Sequence, residues 1–471
     1  MATATEQANS AANAAALISA RIDRLPGNRQ LWALVAKLSL GGFFEVYDLA
    51  LTALMSPLLV HAGVFRQDAG GMFGVSDQAT FAFVTMLGLF VGALGFASFT
   101  DKYSRRRLFL VSMLWYTAST LMMGLQSGAI GVCLWRFLAG IGLGVELVTI
   151  DCYLAEVTPK ALRGRVFSVS KFVQMCAIPV AGFIAHFLAP KALLGIDGWR
   201  WMAIFPVVGA LAVLLLRRNI AESPRWLASK GQLAQADAIV SDMEAYASRH
   251  GQVLPTPTRA VVTTAVQSGG SFSYLLRSPH RARVLMLVIS TSASSIAFYG
   301  FAHWAPSLLE NQGVSVTKSL LYTALIGFAY PISPLVWSLF ADRIERKWQI
   351  ALGCIITGAA GLLFAEQNSA VMWVVLGVLM TFGNEITGTA THTYQAELFP
   401  TEIRGTAVGF VYSFSRLASA LSSYFIAYVL LNFGTSGVFT SLAAILCISV
   451  FVTLAYGPRT LGLAYHEFKK G

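Results

Sequence analysis

The sequence predicts an all-α membrane protein of twelve transmembrane helices in two pseudo-symmetric six-helix halves. Three observations carry that prediction. The chain of 471 residues is 56% hydrophobic and only 12% charged, whereas a soluble domain draws about a quarter of its residues from the charged types; its mean hydropathy is +0.63. Apolar runs long enough to cross a bilayer, roughly 20 residues each, recur along its length. Two charged segments, FTDKYSRRR from Phe99 and FADRIERK from Phe340, also share one order of aromatic, acid and bases, with Asp101 and Asp342 separated by 241 residues.

Backbone polar groups in hydrocarbon must be satisfied within the segment, so each apolar run is read as a helix. Residues 1–30, Ala-rich and polar, lack the basic start and apolar core of a cleavable signal and read as a cytosolic lead-in. The first half, 31–218, places crossings 1 to 6 at Leu31 to His61, Gln78 to Thr100, Leu108 to Gln126, Ile130 to Val157, Val166 to Leu188 and Trp199 to Leu216. A polar, helix-breaking linker spans 219–282. The second half, 283–456, places crossings 7 to 12 at Val284 to Glu310, Lys318 to Phe340, Gln349 to Phe364, Ala370 to Glu397, Thr406 to Leu431 and Gly437 to Tyr456, with a tail at 457–471.

A net charge of +11 invites thoughts of nucleic acid, but placement argues against it: most of the 34 Lys and Arg residues fall in loops on the side of the N-terminus. That is the positive-inside pattern, with both termini cytoplasmic. The five cysteines all lie in predicted helices, with no disulfide framework and no metal spacing. No nucleophile elbow or phosphate-binding glycine loop appears in the polar segments, which argues against an enzyme; GIGLG, inside an apolar run, is a helix-packing motif.

The 241-residue offset aligns a second motif. YLAEVTPKALRG (Tyr153 to Gly164) falls on YQAELFPTEIRG (Tyr394 to Gly405), matching Tyr, Ala, Glu, Pro, Arg and Gly. Paired halves imply a central cleft reached alternately from each side.

The repeated acid-base loop resembles the signature of the major facilitator superfamily. RFLAGIGLG from Arg136, the two E-x-x-P-x-x-x-R-G segments, AESPRWL from Ala221 and PRTLG from Pro458 are similar to its sugar-porter and organic-ion branch. ARIDRLPGNRQLW, GGFFEVYDL, YGFAHWAPSLL and Arg416 resemble bacterial metabolite symporters of the niacin-transporter type. The chain departs from the pattern at Ala97, Ser104 and Glu345, where the loop signature usually has Gly, and at Arg459 and Leu461 in the final motif. The resemblance implies a proton-coupled transporter of a bacterial inner membrane, needing no cofactor or metal and acting as a monomer. It implies gating roles for Asp101, Arg105, Arg106, Glu156 and Arg163 in the first half and for Asp342, Arg346, Glu397 and Arg404 in the second. Bases at that surface also orient the chain whatever else they do.

Acids within a bilayer are costly and mark functional sites. Glu45 and Asp48, three apart on one helical face expected to look into the cleft, lead the proton-coupling candidates, joined by Glu146 and Asp151; the structural alternative for the last two is a neutral acid or a partner of Arg136 that holds helices together. Arg416 keeps its charge and suits a carboxylate in two parallel hydrogen bonds. Lys171, which maps onto Tyr412 across the repeat, and Gln174 are candidate substrate residues, with Glu385 on crossing 10 and the crossing 7 aromatics Tyr299 and Trp304. The expected cargo is a small organic carboxylate such as an aromatic or heterocyclic acid, imported with protons. A sugar or polyol symporter and a proton-driven exporter remain open, because fold alone sets neither substrate nor direction.

Overall fold

The computed structural model describes residues 2–67, 70–100, 104–188, 191–192, 194–217, 220–257, 280–399 and 401–460. Asp101 lies outside them, and of Arg105, Asp151, Asp342 and Arg404 the backbone alone is described. Helix α1 (Ala2–Asp23) stands apart from the crossings. α2 (Arg29–His61), α3 (Asp77–Thr100), α4 (Arg105–Gly124) and α5 (Ala129–Val157) are crossings 1 to 4. α6 (Arg163–Met175) with α7 (Ala177–Leu188) makes crossing 5, and α8 (Gly198–Arg217) crossing 6. Two shorter helices, α9 (Pro224–Ser229) and α10 (Leu233–Arg249), occupy the linker. α11 (His280–Ala302) with α12 (Ala305–Asn311) makes crossing 7, α13 (Val316–Gly327) with α14 (Ala329–Ser338) crossing 8, α15 (Arg346–Ala365) crossing 9 and α16 (Ala370–Leu398) crossing 10. α17 (Thr401–Tyr456) doubles back at Gly434, whose φ of 66° lies in the left-handed region open to glycine, and so supplies crossings 11 and 12.

The interruptions have local causes. Crossing 7 breaks just ahead of Pro306, whose missing N–H is tolerated at the start of α12. Crossing 8 breaks at Phe328, ahead of Pro331 and Pro334. Crossings 2 and 4 touch through glycine: a Cβ on Gly88 would sit 2.5 Å from the Phe137 carbonyl oxygen and 2.9 Å from the Gly140 Cα. This is the packing expected of small residues between membrane helices.

Each half has its own interior. Tyr47, Leu54, Met55 and Trp199 pack together in the first, and Phe301, Phe364, Leu308 and Phe439 in the second. The first part of crossing 5 (α6) approaches the last part of crossing 8 (α14), and the halves also meet on the face remote from α1, α9 and α10. There Gln78 of crossing 2 donates to Ser307 of crossing 7, and the His186 Nδ1–H on crossing 5 donates to the Thr317 carbonyl at 2.8 Å. Phe83 lies 4.8 Å from the Tyr424 ring. Toward the opposite face, which carries α1, α9 and α10 and is called the basic face below, Lys171, Thr389 and His392 are exposed. The central cleft is therefore open to the basic face and closed on the other.

Within the stretch expected as a lead-in, Ala2–Asp23 forms a docked helix. Ile18 and Ile22, four apart on α1, bury against Leu227, Ala228, Ala236 and Val240 of α9 and α10, a contact that the low overall hydropathy of residues 1–30 conceals. Arg21 donates to Glu244 through Nε (3.1 Å) and Nη2 (2.8 Å), Arg24 donates to the same carboxylate at 2.7 Å, and Asp23 accepts from Arg225 at 2.6 Å. Burial raises the pKa of Glu244, but the hydrogen bonds from Arg21 and Arg24 outweigh it and leave the carboxyl below its ordinary value, about 4.3 in an unfolded chain. Its contribution is therefore complete above that value and is lost as pH falls through the lower folded one. The protection of α1 amides, their exchange relative to the intrinsic rate at the same pH, should fall as the medium is taken below about pH 4. In Glu244→Gln it should already be reduced at neutral pH, by the equivalent of about 1.5–3 kcal/mol.

Candidate functional site

In the first half, crossing 1 carries Asp48 into the centre of its own bundle. Arg136 of crossing 4 meets it with Nη1 2.5 Å from Oδ1, while Nη2 donates to the Asp48 carbonyl at 2.8 Å and to Thr52 Oγ1 at 2.7 Å. Nε donates to Thr85 Oγ1 at 3.1 Å, and Thr120 of crossing 3 donates to Asp48 Oδ2 at 2.5 Å. The side chains are 0% and 1% exposed. Burying two charges is costly unless geometry and extra hydrogen bonds compensate, and here crossings 1 to 4 all contribute.

This placement corrects two expectations. Asp48 does not line the cleft with Glu45: it turns inward, because Arg136 waits in the bundle, while Glu45 lies within electrostatic reach of Tyr412 on crossing 11. And Arg136 takes Asp48 rather than Glu146 as its ion-pair partner; Glu146 is fully buried on the same crossing 4.

In the second half, crossing 11 presents Arg416 between two phenols. Its guanidinium carbon lies 4.9 Å over the Tyr299 ring and 4.3 Å over that of Tyr412. Nη1 donates to the Tyr299 hydroxyl and Nη2 to the Tyr412 hydroxyl, the latter at 2.5 Å. Both acceptors are neutral, so the rings hold the fork in place without cancelling its charge. Lys171 of crossing 5, exposed to the cleft, lies in electrostatic range of Glu385 and His392 on crossing 10, and Arg416 also reaches His392. Gln174, one turn beyond Lys171, rests on Gly42 of crossing 1, where a Cβ would approach its Cδ to 2.7 Å.

Trp304 is placed differently from expectation. The helix break before Pro306 turns its indole into the second-half core, 2% exposed among Phe301, Leu308 and their neighbours. Tyr412 and His392 escaped the sequence-derived set. For Tyr412 the signal was present, since it stands one turn from Arg416 and opposite Lys171 in the repeat.

Among the gating candidates, Arg346 donates to Glu397 at 3.2 Å and to the Ala341 carbonyl at 2.7 Å. Arg163 donates to the Ala155 carbonyl at 3.1 Å. These contacts join neighbouring crossings within one half; they do not by themselves bridge the two halves.

Residues 33–470 match the family model described as sugar (and other) transporter. The putative metabolite transport protein YyaJ of Bacillus subtilis is 26% identical over 441 residues, covering 93% of this chain and 95% of that protein. The niacin transporter NiaP of Acinetobacter baylyi is 23% identical over 444 residues, covering 94% and 97%. Among solved structures, the inward-open conformation of the xylose transporter XylE from Escherichia coli superposes with a TM-score of 0.72 at 16% identity, over 93% of this chain and 99% of that one. The twelve crossings, the internal repeat and the family match together establish that this chain belongs to the sugar (and other) transporter family of the major facilitator superfamily, a multi-pass membrane transporter and not an enzyme.

Proposed function

We propose that the protein imports a small organic carboxylate together with protons across a bacterial plasma membrane, with the basic face cytoplasmic. The observation that carries this reading is Arg416: a guanidinium in the cleft whose hydrogen-bond partners, among the described residues, are two phenol hydroxyls. A substrate carboxylate supplies the compensating charge and the planar acceptor that the fork is shaped for. Tyr299 and Tyr412 offer faces for a flat ring, and Lys171, Glu385 and His392 face the remainder of the molecule. The relative named for niacin transport is consistent with an aromatic acid.

Asp48 is the proton carrier in this scheme. A proton on its carboxyl and the N–H groups of Arg136 compete for the same oxygens, so proton uptake and the ion pair are alternatives. In this scheme the form open to the basic face with the pair made is assigned to the stage after proton release. With Asp48 neutral, Arg136 is freed to rearrange crossings 1 to 4, and proton occupancy biases the two-state equilibrium of the halves.

Proteoliposomes test both parts. Counterflow of labelled nicotinate should be competed by benzoate and far less by nicotinamide, its neutral amide counterpart; competition by xylose instead would assign the sugar alternative. Asp48→Asn should retain nicotinate exchange at equal concentrations and lose accumulation under an imposed inward proton gradient. Undiminished accumulation would remove Asp48 from coupling, and accumulation under the opposite gradient would make the protein an exporter.

A further inference from the structure

Departures from the family signature at Ser104, Glu345 and Arg459 find a common explanation at the basic face. As each six-helix half ends, the departing chain is held by the same tyrosine of the repeat. The Tyr153 hydroxyl donates to the Ala221 carbonyl at 2.6 Å, and the Tyr394 hydroxyl, 241 positions later, donates to the Pro458 carbonyl at 2.7 Å. Two residues past each held carbonyl, a backbone N–H points at a carboxylate: Ser223 N–H to Glu222 Oε1 at 3.0 Å, and Thr460 N–H to Glu345 Oε1 at 2.8 Å.

The two carboxylates come from opposite strands of the contact. In the first half the departing chain supplies the acid, and the loop after crossing 2 supplies a hydroxyl, Ser104, which donates to Glu222 Oε2 while capping α4. In the second half the loop after crossing 8 supplies the acid, Glu345, and the departing chain supplies the hydroxyl, Thr460, whose Oγ1 lies 3.4 Å from it. Ser104 and Glu345 are themselves 241 positions apart, and Arg459 stands next to Thr460 as Glu222 stands next to Ser223. An acid on both strands would set two carboxylates against each other. With an acid on neither, the N–H and the hydroxyl would lack their charged acceptor.

We propose that Glu222 and Glu345 are positioning residues of one device, a clip in which, among the described side chains, one strand supplies the carboxylate and the other the hydroxyl, fastening the end of each half to that half's own acid-base loop. Ser104, Glu345 and Arg459 are then one compensated exchange of acid and hydroxyl between strands. Each clip lies inside one half and moves with it. It keeps the basic end of that half rigid while the halves rock against each other, which alternating access requires of a unit that moves as a body.

The test is reciprocal substitution in the purified full-length protein, read by hydrogen exchange of peptides covering residues 220–225 and 456–460, which needs no substrate. Glu345→Ser removes the second clip's acid, and Arg459→Glu gives it two. Each alone should speed exchange at 456–460 by at least about tenfold, the equivalent of about 1.4 kcal/mol, leaving 220–225 unchanged. The double variant rebuilds the first-half arrangement and should return exchange to within about threefold of the parent, roughly 0.65 kcal/mol. Ser104→Glu, Glu222→Arg and their combination repeat the experiment in the other half. General destabilisation would add in the double variants, not cancel. A double variant as fast as its faster single in both halves, or singles that leave exchange unmoved, overturns the proposal.

Discussion

Arg416→Ala is expected to weaken nicotinate binding by at least about 100-fold, the loss that follows when both charge-assisted bonds of a guanidinium fork to a carboxylate disappear, each worth about 1.5–3 kcal/mol. Thermal unfolding should hardly change, because the partners left behind are two phenols that can turn to water in a cleft open to the basic face. Arg416→Lys should not restore binding: an ammonium keeps the charge, but it has neither the planar fork nor the flat face that rests on Tyr299 and Tyr412. Calorimetric titration of nicotinate into the purified variants checks both expectations. Parent-like affinity in Arg416→Ala would place the anion at Lys171 instead.

The second large effect is on stability. Arg136→Met should destabilise the protein by roughly 3–5 kcal/mol, because it strands a carboxylate that has no water to turn to. Asp48 is enclosed by Thr52, Thr120 and Arg136, and its side chain is 1% exposed. Combining Arg136→Met with Asp48→Leu should recover most of the loss, since replacing a buried pair by apolar groups is often neutral, while proton-driven accumulation stays absent. Denaturant unfolding in detergent, followed at the first-half indole of Trp199, would show it. Simple additivity of the two substitutions would mean that the pair contributes little to holding crossings 1 to 4 together.

How far the sequence could be read depended on the range of the interactions involved. The crossings depend on local composition and the repeat on one offset, so both were legible, as was the significance of Arg416. The orientation of a side chain around a helix was less so. Glu45 and Asp48 share a face by spacing, yet a turn of about 100° per residue leaves three-residue neighbours about 60° apart, enough for one to face the cleft and the other Arg136. Trp304 was misplaced for a similar reason, since the break before Pro306 redirects the chain. The docking of α1 rests on Ile18 and Ile22 finding partners more than 200 residues away, a pairing that no local window contains. The clips were visible only as anomalies until both strands of each contact were placed together.

The closed face also bears on how any affinity for this protein should be understood. Its seal includes the Gln78 to Ser307 hydrogen bond, the His186 to Thr317 bond and the tilted ring contact of Phe83 with Tyr424. Hydrogen bonds of this kind contribute about 0.5–1.5 kcal/mol each, so the seal biases the equilibrium between the two openings. A ligand that reaches the cleft only from the sealed side binds only the fraction of molecules open there. If that fraction is about 1%, its apparent dissociation constant is about 100 times the intrinsic one. Affinities measured in detergent, in outward-oriented membranes and in inverted vesicles are then three different averages over the same site. Weakening Gln78 would bring them together without altering any residue that touches the cargo.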